Sequence, residues 1–493
     1  MMPVALGLSS CARPHDATIR FGMARLPVTL DPRFATDAAS YRVNRLLYRQ
    51  LVDFDDNSRV IPALAQWQLL SPTRYRFTLG VQGRDFSDGT HLTSADVKAT
   101  YDFVLDKAKA SPHQVSLANI ERIETHGVDQ VDFMLHQPDA LFPGRLVIGI
   151  VPAARIASNH PLNREPIGSG PFQMLSWQGE SALHLQRRAD GQKISFIGVP
   201  DPTVRALKLL RGEIDLTQND LPPELVTHLK SQPDLEVLTR PGANFAYLGF
   251  NLQDPVTRKL EVRQAIAHAL NRPAIIKHVL GNSARQAEAI LPPDHWAGAP
   301  DLLPYPYDPA LSRELLKQAG YDAQHPLHLV YKTSSDPFRL RLATIMQQQL
   351  AEVGIHVDLR SYDWGTFYGD IKAGRFQMFS LMWVGIKLPD IFHYAFHSDA
   401  LPPDGANRGR LVNPDIDQMI EAAEKIQDLP QQAAAYRALQ ARLHALLPYV
   451  PLWYEDHVLV KRRDIQGYTL AADGNFDGLI AVTRGSSDRR SGR

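Results

Sequence analysis

The chain has 493 residues, which is too long for one ordinary domain, so the sequence predicts two or three domains. Hydrophobic residues make up 44% of it and charged residues 22%, a composition typical of a folded globular protein. Lys plus Arg equals Asp plus Glu at 53 each, and this balance argues against a nucleic-acid or anionic-membrane partner, which would favour clustered positive charge.

The N-terminal region carries the single cysteine, Cys11. Leu8-Ser9-Ser10-Cys11 closes a short apolar stretch and resembles the lipobox of bacterial lipoproteins, in which the cysteine is lipidated, although no Lys or Arg precedes it. We predict a signal-like or lipoprotein-like segment at 1–16 with lipidation at Cys11. A start further upstream, a degenerate signal and a chance cysteine in a disordered N-terminus are the alternatives. Because no apolar run approaches the roughly 18 residues that span a bilayer, membrane attachment would come through Cys11.

In the first half of the chain, strands and helices alternate, which predicts the α/β class. Thr93–Asp96 resembles a capping box, with Asp in place of the usual Glu or Gln, and predicts the start of a helix. The other predicted elements are a helix at Asp37–Leu51 and strands at Thr18–Met23, Tyr75–Leu79, Val131–Leu135 and, as the longest apolar run, Leu146–Val151.

In the second half, glycine and proline mark the ends of the predicted helices. The predicted helices are Val262–Leu270, Asp308–Gly320, Phe338–Val353 and Pro414–Ala445, the last broken near Pro430. The predicted strands are Ile355–Leu359, Phe376–Trp383 and Val450–Val460. The polar, glycine-containing residues 485–493 predict a disordered tail.

Nine segments, in this order, resemble the family 5 extracellular solute-binding proteins, the subunits of ABC importers that bind peptides, nickel and related solutes. Coverage runs from about Thr18 to Tyr468. The segments include LDPRFATDAASYRVNRLLYRQLVDFD, FSDGTHLTSADVKATYDF, PIGSGPF, FNLQDPVTRKLEVRQAIAHALNR, YDPALSRELLKQAGY and PYVPLWY.

The resemblance implies a type II periplasmic-binding-protein-like fold, with two lobes joined by a hinge and an extra subdomain. By analogy, the first lobe comprises 17–48, 161–253 and 455–484, the extra subdomain 49–160, and the second lobe 254–454. The segment His184–Val199 is shorter than the usual family insert. The resemblance therefore describes that edge of the first lobe less well.

The resemblance also implies that Trp364 and Trp383 line the cleft, since both match cleft positions and an aromatic face offers a large contact area. Core packing is the alternative for each. Peptide-binding relatives often place an Asp three residues after the second of these tryptophans, where it pairs with the ammonium group of the peptide. Here that position is Ile386, and Asp390 either takes over the ammonium contact or belongs only to the Pro-Asp turn.

Further candidates for ligand contact lie at strand ends and loops. Tyr247 could instead pack within its strand, and Arg339 could be a solvated helix residue. Hydroxyls and backbone N–H groups in YKTSSDPFRL suit a carboxylate. The full set is Tyr247, Asn251, Thr333, Ser334, Arg339 and, on the opposite wall, Phe34 and Thr36.

His393 and His397 have four-residue spacing and could share one helix face. With Asp390 or Asp399 they could bind a metal. HYAFH lacks the glutamate of HExxH, however, so satisfied or exposed histidines are the favoured interpretation and no metal site is predicted.

These observations predict a non-enzymatic, monomeric substrate-binding subunit that captures a peptide or similar solute and delivers it to an ABC permease. It would need no cofactor and would be periplasmic or on the cell surface. The same scaffold could instead bind a metal chelate, haem, an opine or an oligosaccharide. A cleft hydrolase is the remaining alternative, although the sequence contains no GxSxG, HExxH or Walker-type loop.

Overall fold

A computed structural model of the protein describes residues 18–403 and 405–485. The predicted signal-like segment with Cys11 lies outside these residues, as does the predicted tail beyond Gly485. Within the described residues, strands and helices alternate along the chain, which confirms the α/β class. Among these helices, none combines the length and the apolar character that crossing a membrane requires.

One large mixed sheet runs through both lobes. Its strands lie in the order β15-β14-β16-β12-β17-β11-β1-β10-β9-β8, with β13 paired to β17. The central pair, β12 (Leu235–Phe250) and β17 (Tyr449–Arg462), is antiparallel and belongs to both lobes. The register of this pair shifts between Arg240 and Asn244 and again between Ala246 and Tyr247.

The first lobe packs one hydrophobic core around its half of the sheet, with Phe21, Leu183 and Phe196 fully buried. Its strands are β1 (Ile19–Met23), β8 (Phe172–Trp177), β9 (Ala182–Arg187), β10 (Lys193–Gly198), β11 (Leu216–Gln218), β18 (Ile465–Gln466) and β19 (Thr483–Arg484). Its helices are α1 (Ala38–Leu47), α5 (Pro202–Leu210) and α6 (Pro223–Lys230), and α4 (Ala153–Ala157), from the predicted subdomain, packs against its core through Ile156.

The extra subdomain has a separate core under a four-stranded antiparallel sheet in the order β4-β5-β7-β6. Its strands are β2 (Val52–Phe54), β3 (Val60–Pro62), β4 (Ala65–Ser71), β5 (Arg74–Leu79), β6 (Ile120–His126) and β7 (Gln130–Leu135). Its helices are α2 (Ser94–Leu105) and α3 (Phe142–Arg145). The capping box predicted at Thr93–Asp96 is present, with both of its reciprocal hydrogen bonds.

The second lobe has hydrophobic cores on both faces of its half of the sheet. Its strands are β13 (Ala284–Gln286), β14 (Leu327–Ser334), β15 (Ile355–Tyr362) and β16 (Met378–Trp383). Its helices are α7 (Leu260–Ala269), α8 (Arg272–His278), α9 (Pro309–Gln318), α10 (Pro337–Glu352), α11 (Trp364–Lys372), α12 (Ile391–Phe396), α13 (Pro414–Lys425) and α14 (Leu429–Leu446). The predicted break near Pro430 lies between α13 and α14.

The segment PIGSGPF packs against the C-terminal end of α1. A side chain at Gly168 or Gly170 would collide with the carbonyl groups of Leu46 and Leu47. The Gly170 N–H also donates to the Leu47 carbonyl at 2.9 Å, which satisfies one of the free acceptors at that helix end. These two glycines therefore allow a close approach between backbones that any larger residue would prevent.

Two predictions of secondary structure were wrong. Leu146–Val151 is largely buried but forms no strand, because its backbone bonds to loop residues, as in the Ile150 N–H to Arg49 carbonyl contact of 3.0 Å. The first helix ends at Leu47 rather than at Leu51, because Tyr48 is extended and the chain turns into the subdomain. The exact lobe boundaries remain predictions.

Candidate ligand-binding site

A cavity of about 180 Å³ lies beside the hinge, with walls from both lobes and from the extra subdomain. The hinge itself contributes Pro241–Asn244 and His457. The second lobe contributes Arg285, Pro292, Asp294, His295 and Gly385–Lys387, whereas the first lobe and the subdomain contribute Arg45, Asp53–Asp56, Ser58, Ala471–Asp473 and Asp477. We refer to it as the hinge cavity.

The hinge cavity is bridged by an ion pair between the two lobes. Lys387 Nζ in the second lobe lies 2.9 Å from Asp473 Oδ2 in the first lobe. Burial alone would raise the pKa of Asp473, but Lys387 and the Asn475 N–H outweigh it and hold that pKa below its ordinary value. The carboxylate is therefore charged at neutral pH, and the pair holds the lobes together.

The lining of the hinge cavity carries an excess of negative charge. Six aspartates line it against three cations, Arg45, Arg285 and Lys387, an excess of three carboxylates when its histidines are neutral. Arg45 is already engaged, with its guanidinium 2.8 Å from Asp53 and 2.7 Å from Asp477. The electrostatics of the cavity therefore favour a ligand with a positive group.

Two buried histidines in this lining are neutral. Burial lowers the pKa of His457 to about 4, and the Arg42 guanidinium acts in the same direction. Burial likewise lowers the pKa of His295 to about 4. His457 Nδ1 accepts from Asn219 Nδ2 at 3.2 Å, and His295 Nε2 donates to the Lys387 carbonyl at 3.1 Å. The Ala297 N–H donates to His295 Nδ1 at 3.0 Å, so in each ring one nitrogen accepts a hydrogen bond and carries no proton.

Trp383 lies at the end of β16, two residues before the hinge cavity begins at Gly385, and it is half-buried. Its ring is stacked on Tyr247, with ring centroids 6.4 Å apart. The Arg408 guanidinium lies 4.5 Å from the centre of the Trp383 ring and donates to the Tyr247 hydroxyl at 3.1 Å and the Tyr368 hydroxyl at 3.2 Å. Trp383 therefore covers a buried cation.

Arg408 is 8% exposed, and no carboxylate in the described part of the chain lies within 4 Å of its guanidinium. A buried cation usually needs a countercharge, since desolvation of an ion is costly. Aromatic faces and hydroxyls compensate only in part. In this cluster, Trp383, Tyr247, Tyr368 and Arg408, the described compensation for the cation therefore comes from aromatic rings and hydroxyls.

Trp364 begins α11 and is 59% exposed. It is stacked on Tyr368, with ring centroids 5.3 Å apart and an angle of 7° between the planes. Tyr368 in turn contacts Arg408, which lies over the Trp383 ring, so Arg408 connects the two groups of aromatic residues.

The sequence of this chain matches the profile of the bacterial extracellular solute-binding proteins, family 5 Middle, over residues 59–400. The chain belongs to this family. It is 27% identical to the dipeptide-binding protein of Escherichia coli, covering 94% of this chain and 95% of the relative, and 28% identical to the di/tripeptide-binding protein 2 of Pseudomonas aeruginosa, covering 96% of each.

Solved structures agree with the family assignment. The periplasmic binding protein DppA from Helicobacter pylori, in complex with peptide STSA, superposes with a TM-score of 0.79 at 26% identity, covering 95% of this chain and 98% of that one. NikZ from Campylobacter jejuni, in complex with Ni(L-His), gives a TM-score of 0.81 at 23% identity, covering 95% and 99%. These similarities confirm the two-lobed type II fold, in a family of solute-binding proteins.

Within the family fold, Ile386 lines the hinge cavity, as a cleft position should. Asp390 does not line it. Its Oδ2 lies 2.6 Å from Arg145 Nη1 of the subdomain, and Arg145 also contacts Asp139. Asp390 thus has an intramolecular partner that connects the second lobe to the subdomain, and its role as an ammonium contact stays a prediction.

The other predicted residues are dispersed. Tyr247 is fully buried and stacked on Tyr449, and Asn251 donates to the carbonyls of Gly374 and Phe376 within the second lobe. Neither side chain reaches the hinge cavity in this conformation. Their roles in ligand contact remain untested.

The remaining predicted residues, on β14, near the hinge and in the loop before α1, also lie apart from the lining of the hinge cavity. Thr333 is buried and Ser334 half-buried on β14, whereas Arg339 Nη1 lies 2.8 Å from Glu455 on β17. Phe34 packs edge-on against Phe103, and Thr36 is exposed. Only Arg339 lies at the hinge, through its partner Glu455.

Sequence reasoning missed Arg408, Lys387 and Asp473. Arg408 lies in ANRGR, a loop with no recognisable local pattern, and Tyr247, its hydrogen-bond partner, is 161 residues distant. Lys387 and Asp473 are 86 residues apart. The available signal was charge in loops, such as Lys387 shortly after Trp383. The pairing of these charges is visible only in the folded structure.

Proposed function

We propose that this family 5 protein captures a short peptide or peptide-like solute between its lobes and delivers it to an ABC permease. The observation that carries the proposal is the hinge cavity, whose walls come from both lobes and which the Lys387–Asp473 pair bridges. A ligand there contacts both lobes and stabilises their closure, so that binding and closure are linked. Closure also removes water and strengthens polar contacts.

The distribution of charge favours a ligand with opposite charges at its two ends. The aspartates of the hinge cavity suit an ammonium group, and Arg408 behind Trp383 lacks a carboxylate. A peptide carries both groups at neutral pH. Curated relatives named as dipeptide- and di/tripeptide-binding proteins support the same ligand class.

Ile386 supports a second candidate, a non-peptide solute on the same scaffold. An isoleucine in the lining gives a free ammonium group no direct partner, which an apolar part of a ligand would not need. The family structure with Ni(L-His) shows a metal chelate in one relative. Haem, an opine or an oligosaccharide would fit this alternative as well.

Several further properties belong to the proposal. We expect no turnover of the ligand, a monomer in solution, a periplasmic or cell-surface location, and lipidation at Cys11. The solute-binding family supports the first and third of these.

The test begins with native mass spectrometry of the purified protein, followed by denaturation and identification of the released compounds. Short peptides would support the main proposal, and a single non-peptide mass would replace it with the alternative. Isothermal titration calorimetry with dipeptides, tripeptides and their N-acetylated and C-amidated forms then measures what each terminal charge contributes. Loss of affinity on blocking either terminus is the expected result, and equal affinity for all forms would contradict it.

A further inference from the structure

A second cavity, of about 510 Å³, lies between the extra subdomain and the second lobe. One wall carries His393 and His397 at the C-terminal end of α12, with Asp399 just beyond and Glu421 and Glu424 on α13. None of these five residues lines the hinge cavity. We call them the seam cluster.

Both histidines of the seam cluster present one ring nitrogen to the same carboxylate oxygen. His393 Nε2 lies 3.2 Å from Asp399 Oδ1, and His397 Nδ1 lies 2.6 Å from it. Ligand atoms at about 2.0 Å from a tetrahedral metal are about 3.3 Å apart, so the first distance already suits a shared ion and the second needs a small widening. One donor atom from each of the three residues lies within 4.8 Å of the others.

The opposite ring nitrogen of each histidine points to a glutamate. His393 Nδ1 lies 3.1 Å from Glu424 Oε1, and His397 Nε2 lies 3.5 Å from Glu421 Oε1. A carboxylate behind a ligating imidazole is the arrangement that orients histidines in metal sites. Two histidines with this arrangement, on either side of one aspartate, distinguish the cluster from an acidic patch.

His397 is held in place by its surroundings. Its side chain is about nine-tenths buried, its Nδ1 lies 2.6 Å from Asp399 Oδ1, and its Nε2 faces Glu421 without a hydrogen bond to any described residue. The backbone around it is fixed, because Asn407 Nδ2 donates to the His397 carbonyl at 3.0 Å and the Ser398 N–H donates to Asp417 at 2.9 Å. Asp399, with a side chain 67% exposed, leaves a route for an ion to enter.

We propose that the seam cluster binds a divalent transition-metal ion through His393 Nε2, His397 Nδ1 and Asp399, with Glu424 orienting the first ring and Glu421 facing the second. Two imidazoles and one carboxylate suit Zn²⁺, Ni²⁺, Co²⁺ or Cu²⁺, whereas Mg²⁺ and Ca²⁺ prefer oxygen ligands. The remaining coordination positions are open to water. The site is separate from the hinge cavity and does not depend on the peptide proposal.

The test is titration of the full-length, chelator-stripped protein with ZnCl₂ and CoCl₂, using calorimetry for stoichiometry and visible absorption of Co²⁺ for geometry. We expect one tight equivalent and the intense visible bands of a tetrahedral ion. His393→Ala and Asp399→Asn should each weaken binding at least about 100-fold, and Glu424→Gln about 10- to 100-fold. Asp399 is exposed, so Asp399→Asn should fold normally.

The matched control is a second stacked histidine pair in the same lobe, His328 and His356, whose rings are 5.1 Å apart on exposed strand positions. The double variant His328→Ala/His356→Ala should keep the tight equivalent. The proposal is overturned if the wild-type protein binds no tight equivalent, or if Asp399→Asn and His393→Ala both retain it. Thermal unfolding of each metal-free variant separates lost ligands from a lost fold.

Discussion

Lys387 of the second lobe and Asp473 of the first lobe form an ion pair of 2.9 Å across the hinge cavity, with both side chains about one-fifth exposed. Because each residue belongs to a different lobe, opening of the lobes would separate the two charged groups. The ion pair therefore connects the opening and closing of the hinge with the charges that line the ligand cleft.

Lys387→Ala should favour the open form. A partly buried charge-assisted hydrogen bond contributes about 1–2 kcal/mol, so the equilibrium constant for lobe closure should fall by about 5- to 30-fold. Small-angle X-ray scattering of the ligand-free protein should show a larger radius of gyration. Arg360→Ala, which removes the exposed pair with Asp358 inside one lobe, should leave the radius unchanged. An unchanged radius for Lys387→Ala would contradict the prediction.

Ile386→Asp tests where a ligand ammonium group lies. The new carboxylate would enter the hinge cavity and should improve affinity for a free-amine peptide by about 10-fold, because a charge-assisted hydrogen bond adds about 1.5 kcal/mol. N-acetylated peptide serves as the control ligand and should gain nothing. Equal changes for both peptides in calorimetry would place the ammonium group elsewhere.

Trp383→Ala should weaken ligand binding by about 10- to 100-fold, because it removes an aromatic face and uncovers the buried Arg408. Trp177→Ala is the matched control, since Trp177 lies in the first lobe on β8 and contacts Arg164. Titration calorimetry should show normal affinity for the control. If both variants bind alike, Trp383 is a packing residue.

The free energy of unfolding should fall on acidification, because the two neutral histidines of the hinge cavity are protonated more readily in the unfolded chain. The pKa of each is about 4 when folded and about 6.5 when unfolded, so the unfolded chain binds more protons between these values. The free energy of unfolding therefore falls as the pH drops through that window, by about 2 kcal/mol per histidine between pH 7.5 and 5.

The measurement is urea unfolding of the wild-type protein and of His457→Asn at both pH values. The variant should lose less stability on acidification, by about 2 kcal/mol. His328→Asn, at an exposed position, should leave the difference as in the wild type. The same pH dependence in His457→Asn would show that His457 is already charged in the folded protein.

Gly170→Ala should destabilise the first lobe by about 2 kcal/mol or more, because the added Cβ collides with the backbone of Leu46 and Leu47. Gly369→Ala is the control, since a Cβ there meets nothing within 4 Å and the position is inside α11. That control should be neutral or stabilising by about 0.5–1 kcal/mol. Differential scanning calorimetry compares the two, and equal melting temperatures would refute the steric argument.

The local elements of this fold could be predicted because their determinants are close in sequence. The Thr93–Asp96 capping box and the α9 start at Asp308, whose carboxylate accepts from the Leu311 N–H, are formed by residues within three positions of each other. PIGSGPF was predicted as a family pattern, although its reason, contact with α1, became visible only in three dimensions.

The functional geometry could not be predicted in the same way, because its partners are distant in the chain. Asp390 and Arg145 are 245 residues apart, and no periodicity or cap connects them. The two histidines at 393 and 397 show the same limit. Their spacing was visible, but the glutamates behind them lie on another helix, so the sequence alone could not indicate the contacts on which the metal proposal rests.

The antiparallel pairing of β12 with β17 limits how the two lobes can move. The paired stretches on either side of the irregular register resist sliding and twisting, and the irregularity between Arg240 and Asn244 offers the place to bend. Ligand binding in the cleft would then change one property that is visible from outside the cleft, the angle between the two rigid lobes. A membrane partner that contacts both bodies could recognise that angle without contacting the solute, so a single permease surface would serve solutes of different chemistry.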